Sequence, residues 1–229
     1  SGDDPDTERE LARSLKARRC DALIVASALP PNDPFYQELQ EEDLPVIAVD
    51  RSQSPGVISC VVSDNRKGAA TLARSVLEPG TGSVVWLDAV PALAMTRERR
   101  EGFEEVARSR SGQWAVYSGE HYDRASGARL MQQVLADQGL PDALITASYT
   151  LLQGVLDVLL EQPGGLPQSL RMATFGDDRL LDFLPVKVHS LPQKHEAIAE
   201  ATLDRALAAI AGHGEPETVI INRSLKRRR

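Results

Sequence analysis

The sequence predicts an α/β fold in which parallel strands are covered by helices. Short apolar runs of strand length alternate along the chain with longer segments whose apolar residues have helical spacing. Pro and Gly separate many of these segments, as turn-forming residues do. Aromatic residues are only 4% of the 229 residues, whereas Ala, Leu and Val dominate, which is typical of helices packed on buried parallel strands.

The predicted elements follow one another as repeated strand–helix units. The predicted strands are 21–27, 45–50, 57–64, 82–89, 113–120, 142–148, 172–178, 186–193 and 218–226. The predicted helices are 6–18, 35–44, 65–80, 96–110, 123–139, 149–162 and 194–212. Asp6 or Thr7 is placed to cap the first helix, Asp123 begins the fifth, and Gly212 ends the last. Such alternation produces parallel sheets.

The order of the elements predicts two lobes. Strands within 21–64 form one set, and strands within 82–178 form another. The long helix at 194–212 then has to find a sheet to cover, and a last strand follows it. A chain that crosses between two α/β lobes leaves a ligand cleft between them, and charged residues at strand ends would face that cleft.

Charged residues stand where several predicted strands end. Asp50 and Arg51 close the strand at 45–50, Arg99 lies early in the helix that follows strand 82–89, and Asp177 follows Gly176. Ligands bind outside the carboxyl ends of parallel strands. Arginine binds phosphate through two parallel hydrogen bonds, and carboxylates accept hydrogen bonds from sugar hydroxyls. These residues predict a phosphorylated sugar as ligand, although spacing alone also allows a turn at Asp50, a solvated Arg99 and a helix cap at Asp177.

Composition and missing motifs exclude other classes of protein. A net charge of −7 argues against nucleic-acid binding by the body of the chain, and we interpret the basic end at 226–229 as a solvated terminus. No GxSxG, GxxxxGK[ST] or HExxH motif occurs, and no histidine pairs with a nucleophile. Cys20 and Cys60 have no metal-type spacing and suit the core of a protein in a reducing compartment. The sequence therefore predicts no catalytic residue, no metal, no cofactor and no membrane span.

Several segments together resemble the effector-binding core of LacI-type transcription regulators, whose two-lobed fold is shared with periplasmic sugar-binding proteins (type I). The segments are PVIAVDR at 45–51, VVSDN..GA at 61–69, R..GF at 99–103 and GD at 176–177. Longer stretches at 26–36, 145–158, 173–184 and 192–200 are similar to one branch, the fructose repressors. The resemblance implies a cytoplasmic, DNA-binding regulator of carbon metabolism that assembles as a homodimer or homotetramer.

The resemblance also implies an effector and a set of site residues. The effector is fructose 1-phosphate, and its binding closes the cleft and releases operator DNA. Asp50, Arg51, Arg99 and Asp177 fall on effector-binding positions of the family, and Ser148 and Gln193 fall on neighbouring positions of the cleft. We expect Arg51 and Arg99 at the anionic or hydroxyl-rich end of the ligand, and Asp50 and Asp177 at sugar hydroxyls.

Lobe boundaries follow from the same resemblance. The N-terminal lobe is expected to comprise 1–64 and 194–215, and the C-terminal lobe 65–193 and 216–229. The helix-turn-helix domain of the family, and the first strand–helix–strand of the N-terminal lobe, are absent from this sequence. A sugar-binding protein of the same fold without gene regulation is the main alternative, and a phosphosugar enzyme is a third possibility that lacks a candidate acid, base or nucleophile.

Overall fold

A computed structural model describes residues 2, 4–54, 56–78, 80–213 and 215–228. In chain order the elements are α1 (Pro5–Ala17), β1 (Leu23–Val25), α2 (Phe35–Glu41), β2 (Val46–Val49), β3 (Ser59–Ser63), α3 (Asn65–Val76), β4 (Ser83–Ala89), α4 (Ala94–Arg108), β5 (Gln113–Gly119), α5 (Arg124–Gln138), β6 (Ala143–Thr146), α6 (Tyr149–Leu160), β7 (Arg171–Phe175), a 3₁₀ turn (Arg179–Asp182), β8 (Val188–Leu191), α7 (His195–Ile210) and β9 (Thr218–Ile221). They form two compact units, Ser1–Asp64 with Lys194–Asn222 and Asn65–Gln193 with Arg223–Arg229.

The first unit contains a four-stranded parallel sheet in the order β1-β2-β3-β9. Its core joins the buried face of α2 to the strands, through side chains that include Phe35, Tyr36, Val46 and Ile58. Several large apolar side chains of this unit are nevertheless exposed on α1, β1, α7 and β9 (Leu11, Leu15, Ile24, Leu203, Leu207, Ile210 and Ile220). The first unit therefore leaves much apolar surface in contact with water.

The second unit contains a five-stranded parallel sheet in the order β5-β4-β6-β7-β8. Alternate residues of β4 point to opposite faces: Trp86 packs with α3 and α4, whereas Leu87 packs with α5 and α6. Trp86 stacks on Phe103 of α4 with ring centroids 5.2 Å apart. Both faces of this sheet are thus covered, as its near-continuous apolar strands require.

The predicted strands and helices all occur. Most are shorter than the sequence predicts, whereas α1, α4 and β7 begin one or two residues earlier. The first helix is capped by Asp4, whose side chain accepts a hydrogen bond from the Thr7 amide, and not by Asp6 or Thr7. Pro5 occupies the first turn, where a missing N–H costs nothing. No helix in the described part of the chain combines the length and the apolar character that a bilayer crossing needs.

The end of the chain differs from the sequence prediction. We expected a strand over 218–226 in the C-terminal lobe, but β9 ends at Ile221. It pairs with β3 in register, Cys60 opposite Thr218 and Ser63 opposite Ile221. Residues 216–222 therefore lie in the first unit, and only the segment after Asn222 belongs to the second.

Candidate functional site

Arg99 is held by the close packing of α3 against α4. A Cβ atom at Gly102 would overlap the carbonyl oxygen of Arg66, so only glycine permits the two helices to approach this closely. One turn before Gly102, the Nε of Arg99 donates to Oδ1 of Asn65 at 2.9 Å, and its Nη1 donates to the carbonyl of Ala147 at 2.8 Å. Arg99 is only 5% exposed, so a nearly buried guanidinium stands at the carboxyl end of β6.

A second arginine shares an aromatic ring with Arg99. The Cζ of Arg99 lies 4.3 Å from the centroid of the Phe175 ring, and the Cζ of Arg223 lies 5.3 Å from it. Arg223 also donates from Nη1 to the carbonyl of Leu191 at 3.3 Å. Two guanidinium groups on one ring concentrate positive charge at the carboxyl end of β7. Sequence reasoning missed Arg223 because it placed this residue inside the last strand.

Asp177 follows a glycine turn at the end of β7. Gly176 has φ 83°, and a Cβ there would lie 3.1 Å from the Cβ of Tyr149. The carboxylate of Asp177 accepts hydrogen bonds from Ser190 Oγ (2.7 Å), Arg228 Nη2 (2.6 Å) and Lys226 Nζ (3.2 Å). Burial by itself raises the pKa of Asp177, but these three donors outweigh it and hold the pKa below its ordinary value. Asp177 is therefore an ionised acceptor at neutral pH.

The prediction of a solvated basic chain end is wrong for Lys226 and Arg228. The backbone of Lys226 exchanges two hydrogen bonds with Ser190 of β8, at 2.8 and 3.1 Å. The side chain of Arg228 is only 9% exposed and is paired with Asp177 and Asp182. Acidic side chains in and just before the 3₁₀ turn bind these cations. The order of charges along the sequence does not reveal this pairing. Arg227 is exposed, and Arg229 lies outside the described residues.

Ser148 and Gln193 stand beside these groups on neighbouring strand ends. Ser148 caps α6: its Oγ accepts a hydrogen bond from the Leu151 amide at 3.2 Å and lies 2.8 Å from Oγ1 of Thr150. It directly follows Ala147, the residue whose carbonyl binds Arg99. Gln193 is half-buried two residues after β8. The structure thus places Arg99, Ser148, Asp177 and Gln193 at the carboxyl side of one sheet.

Asp50 and Arg51 lie at the carboxyl end of β2 in the first unit. The amide of Arg51 donates to the carbonyl of Val49 at 2.7 Å, which closes a three-residue turn around Asp50. Asp50 has φ 64°, the positive value of the γ-turn form that is rare and strained. The Nη1 of Arg51 donates to the carbonyl of Ser27 at 3.2 Å. Strained turns of this kind cluster at ligand sites.

Two buried carboxylates went unnoticed in the sequence. Glu8 of α1 accepts hydrogen bonds from Ser27 Oγ, from the Ala28 amide at 2.8 Å and from Tyr36 Oη at 2.6 Å. An acidic residue in the first turn of a helix is ordinarily explained by a favourable contact with the helix dipole. Burial, and then the Glu8 carboxylate, raise the pKa of Tyr36. Glu8 therefore supports Ser27, whose carbonyl binds Arg51.

The other unnoticed carboxylate is Asp88, near the carboxyl end of β4. It receives two hydrogen bonds from Arg100 of α4, at 2.9 and 2.7 Å, and one from Trp86 Nε1 at 2.9 Å. An acidic residue inside the apolar run VVWLDA was the available signal. The pair fixes α4 to the sheet at the residue next to Arg99.

Comparison with known proteins identifies the family. Residues 1–166 match the family described as periplasmic binding proteins and sugar binding domain of the LacI family. The chain belongs to this family. It is 45% identical over 226 residues to the fructose operon regulatory protein of Vibrio cholerae, an alignment that covers 99% of this chain and 69% of that protein. It is 35% identical over 230 residues to the catabolite repressor/activator of Escherichia coli K12, covering 100% of this chain and 69% of that one.

A solved structure is equally similar. The chain matches the crystal structure of the Cra transcriptional dual regulator from Pseudomonas putida, determined in complex with fructose 1-phosphate, with a TM-score of 0.95 and 46% identity. The match covers 99% of this chain and 84% of that chain. These findings confirm the predicted fold and the predicted family branch. They also confirm that this chain is the sugar-binding core of a transcription regulator and not an enzyme.

Proposed function

We propose that this regulator senses fructose 1-phosphate and releases operator DNA when this effector binds. The observation that carries the proposal is the pair of guanidinium groups, Arg99 and Arg223, on the ring of Phe175, with the ionised Asp177 two residues further along the chain. Cationic and anionic groups at one sheet edge match a ligand that carries both phosphate and hydroxyls. The regulator from Pseudomonas putida that was crystallised with fructose 1-phosphate supports the same ligand.

The predicted residues divide into three roles in this proposal. Arg51 and Arg99 contact the anionic or hydroxyl-rich end of the ligand, and Arg223 adds positive charge beside Arg99. Asp50 and Asp177 accept hydrogen bonds from sugar hydroxyls. Ser148 and Gln193 supply neutral polar groups next to the charged ones.

Regulation follows from differential affinity. An effector that binds one arrangement of the protein more tightly shifts the population towards it, and DNA affinity falls if that arrangement binds the operator poorly. We propose that operator DNA is bound through an N-terminal helix-turn-helix domain and that the regulator is a cytoplasmic homodimer or homotetramer. Two-fold symmetric operators favour such symmetric assemblies. The support is that the relatives are bacterial transcription regulators.

Calorimetric titration of the protein at its natural length with fructose 1-phosphate tests the proposal. We expect saturable binding to the unmodified protein, called the parent below. Arg99→Ala should lower the affinity more than a hundredfold, because the side chain is buried and fixed by two hydrogen bonds. Arg97→Ala, which removes the same charge from an exposed position of the same helix, is expected to leave affinity within twofold.

Fructose and inorganic phosphate serve as negative ligands, and release of a labelled operator reports regulation. Absence of binding by the folded parent would overturn the effector assignment. Binding without any change in DNA affinity would overturn the regulatory part and would favour a plain sugar-binding protein.

A further inference from the structure

Ser190, Lys226 and Arg228 form a clamp of hydrogen-bond donors around Asp177. Arg228 Nη2 donates to Asp177 Oδ1 at 2.6 Å, and Nε donates to Asp182 Oδ1 at 2.7 Å. Nη1 donates to the carbonyl of Val188 at 2.9 Å and to Ser190 Oγ at 2.7 Å. Burying a long cationic side chain costs rotamer freedom and hydration. Such a dense set of partners is what keeps this guanidinium in place.

Three donors of the clamp share the carboxylate of Asp177. An ionised aspartate has about four lone-pair positions on its two oxygens. Ser190 and Arg228 both donate to Oδ1, and Lys226 donates to Oδ2 at 3.2 Å. These three donors fix the plane of the carboxylate. A carboxylate that is ionised and fixed in orientation suits recognition of a ligand hydroxyl.

We propose that Arg228 is a positioning residue for effector recognition, which holds the Asp177 carboxylate in the orientation that accepts a sugar hydroxyl. The inference rests on the proposed function. It assigns to the last residues of the chain a role in ligand affinity, although none of them is proposed to touch the ligand. Besides Arg228 itself, the charged or titratable groups around Asp177 and the clamp are Lys226, Asp178, Asp182, His189 and Tyr149.

The test compares Arg228→Ala with Arg227→Ala in the natural-length protein, by calorimetric titration with fructose 1-phosphate between pH 3 and 8. Both variants lose one positive charge near the same end, but Arg227 is exposed. We expect Arg228→Ala to weaken binding about tenfold and Arg227→Ala to stay within twofold of the parent. Arg228→Lys keeps the charge without the planar fork and is expected to restore only part of the affinity.

The pH profile separates positioning from a merely structural role. Loss of Arg228 removes one of the donors that lower the pKa of Asp177, so this pKa rises. Protonation of Asp177 then begins at a higher pH, and the acid limb of the affinity profile moves to higher pH in Arg228→Ala alone. The phosphate group of the ligand titrates equally in every variant. Asp177→Asn is expected to remove this limb altogether.

Each outcome of the experiment decides a different point. Loss of heat stability in Arg228→Ala with unchanged affinity and unchanged pH profile would overturn the inference and leave the proposed function intact. If Asp177→Asn binds as the parent does, the role of Asp177 fails and the inference fails with it. If the parent itself does not bind fructose 1-phosphate, both proposals are overturned. Should Arg228→Ala not fold, Ser190→Ala, which removes the other Oδ1 donor, is expected to weaken binding in the same direction.

Discussion

The carboxyl ends of β2 and β7 both carry an aspartate predicted to bind sugar, but the two strands turn the chain differently. After β7 the positive φ falls on Gly176, and Asp177 follows it into a clamp of Ser190, Lys226 and Arg228. After β2 the positive φ falls on Asp50 itself. The carboxylate of Asp177 is thus fixed by side-chain donors, and at Asp50 the backbone itself is strained. A ligand site can be preorganised in either way.

The hydrophobic cores of the two units differ in how completely they are covered. The sheet of the second unit is covered on both faces, and its central strands are almost fully buried. In the first unit, the middle residue of β1 and several residues of α1 and α7 remain exposed. The sheet of the second unit is therefore more fully shielded from water than the sheet of the first unit, which also has buried hydrogen bonds to Glu8.

The largest expected effect comes from truncating the same residue type in the two sheets. Ile145 of β6 is 0% exposed, and Ile24 of β1 is 53% exposed. Ile145→Ala should lower the free energy of unfolding by about 2–5 kcal/mol, because it leaves a cavity in a closed core. Ile24→Ala should change it by less than about 1 kcal/mol. Urea denaturation measures both, and similar losses would show that the first unit is packed as tightly as the second.

The next effect concerns the glycine turn that precedes Asp177. Gly176→Ala should cost about 1–3 kcal/mol, since it imposes a positive φ on alanine and brings Cβ to 3.1 Å from the Cβ of Tyr149. Gly165→Ala is the matched control, with φ 71° and nothing within 4 Å of its Cβ. The difference between the two losses, measured by thermal unfolding, isolates the Tyr149 contact. Equal losses would mean that only backbone strain matters at this strand end.

A pH-dependent effect is expected in the first unit. Burial and Glu8 raise the pKa of Tyr36 above its ordinary value of 10.0. Above pH 10 the unfolded chain ionises this tyrosine while the folded chain keeps its proton, so stability falls as pH rises, by up to about 1.4 kcal/mol per pH unit. Tyr36→Phe should cost about 1–2 kcal/mol at neutral pH and should reduce this slope by the part that Tyr36 contributes.

Tyr117→Phe in β5 serves as the comparison for Tyr36→Phe. The hydroxyl of Tyr117 accepts a long hydrogen bond from Nε2 of Gln138, at 3.3 Å, so its removal should cost less than about 0.5 kcal/mol at neutral pH. The stability of each variant is measured by urea denaturation between pH 7 and 11. If Tyr36→Phe keeps the alkaline slope of the parent, the raised pKa of Tyr36 is not what weakens the first unit at high pH.

The smallest change in stability is expected at the strained turn of β2. Asp50→Gly relieves the positive φ but makes the unfolded chain more flexible, so the net change should stay within about 0.5 kcal/mol. Affinity for fructose 1-phosphate should nevertheless fall at least tenfold, because the carboxylate is lost. Asp43→Gly, at an exposed residue with φ 63°, should change stability equally and leave affinity unchanged. A large gain in stability specific to Asp50→Gly would show that the turn stores more strain than its geometry indicates.

Much of the fold could be predicted from the sequence because its signals are local. Apolar runs such as DALIVAS and GSVVWLDA, and the glycine and proline residues between them, depend only on neighbours in the chain. The same holds for Asp50, Arg51 and Asp177, which directly follow apolar runs. Arg99 needed the resemblance to the family, since nothing in its helix distinguishes it from the exposed Arg97.

The remaining part of the site depends on partners far along the chain. Arg223 meets Phe175, and Glu8 meets Tyr36, across separations that periodicity does not record. Asp88 and Arg100 are closer, but their pairing depends on α4 returning to β4. These contacts were not predicted because a charged residue is expected to be solvated unless a buried partner is known.

The sequence by itself determined the order of strands and helices, the charged strand ends and the family of this protein. Only the tertiary structure decided that β9 pairs with β3, and that the basic chain end folds back onto Asp177 and Asp182. The hydrophobic periodicity of an element depends only on which of its own residues are buried. The partner of a strand or of a charged segment depends instead on packing, because packing decides which distant groups come within hydrogen-bond distance.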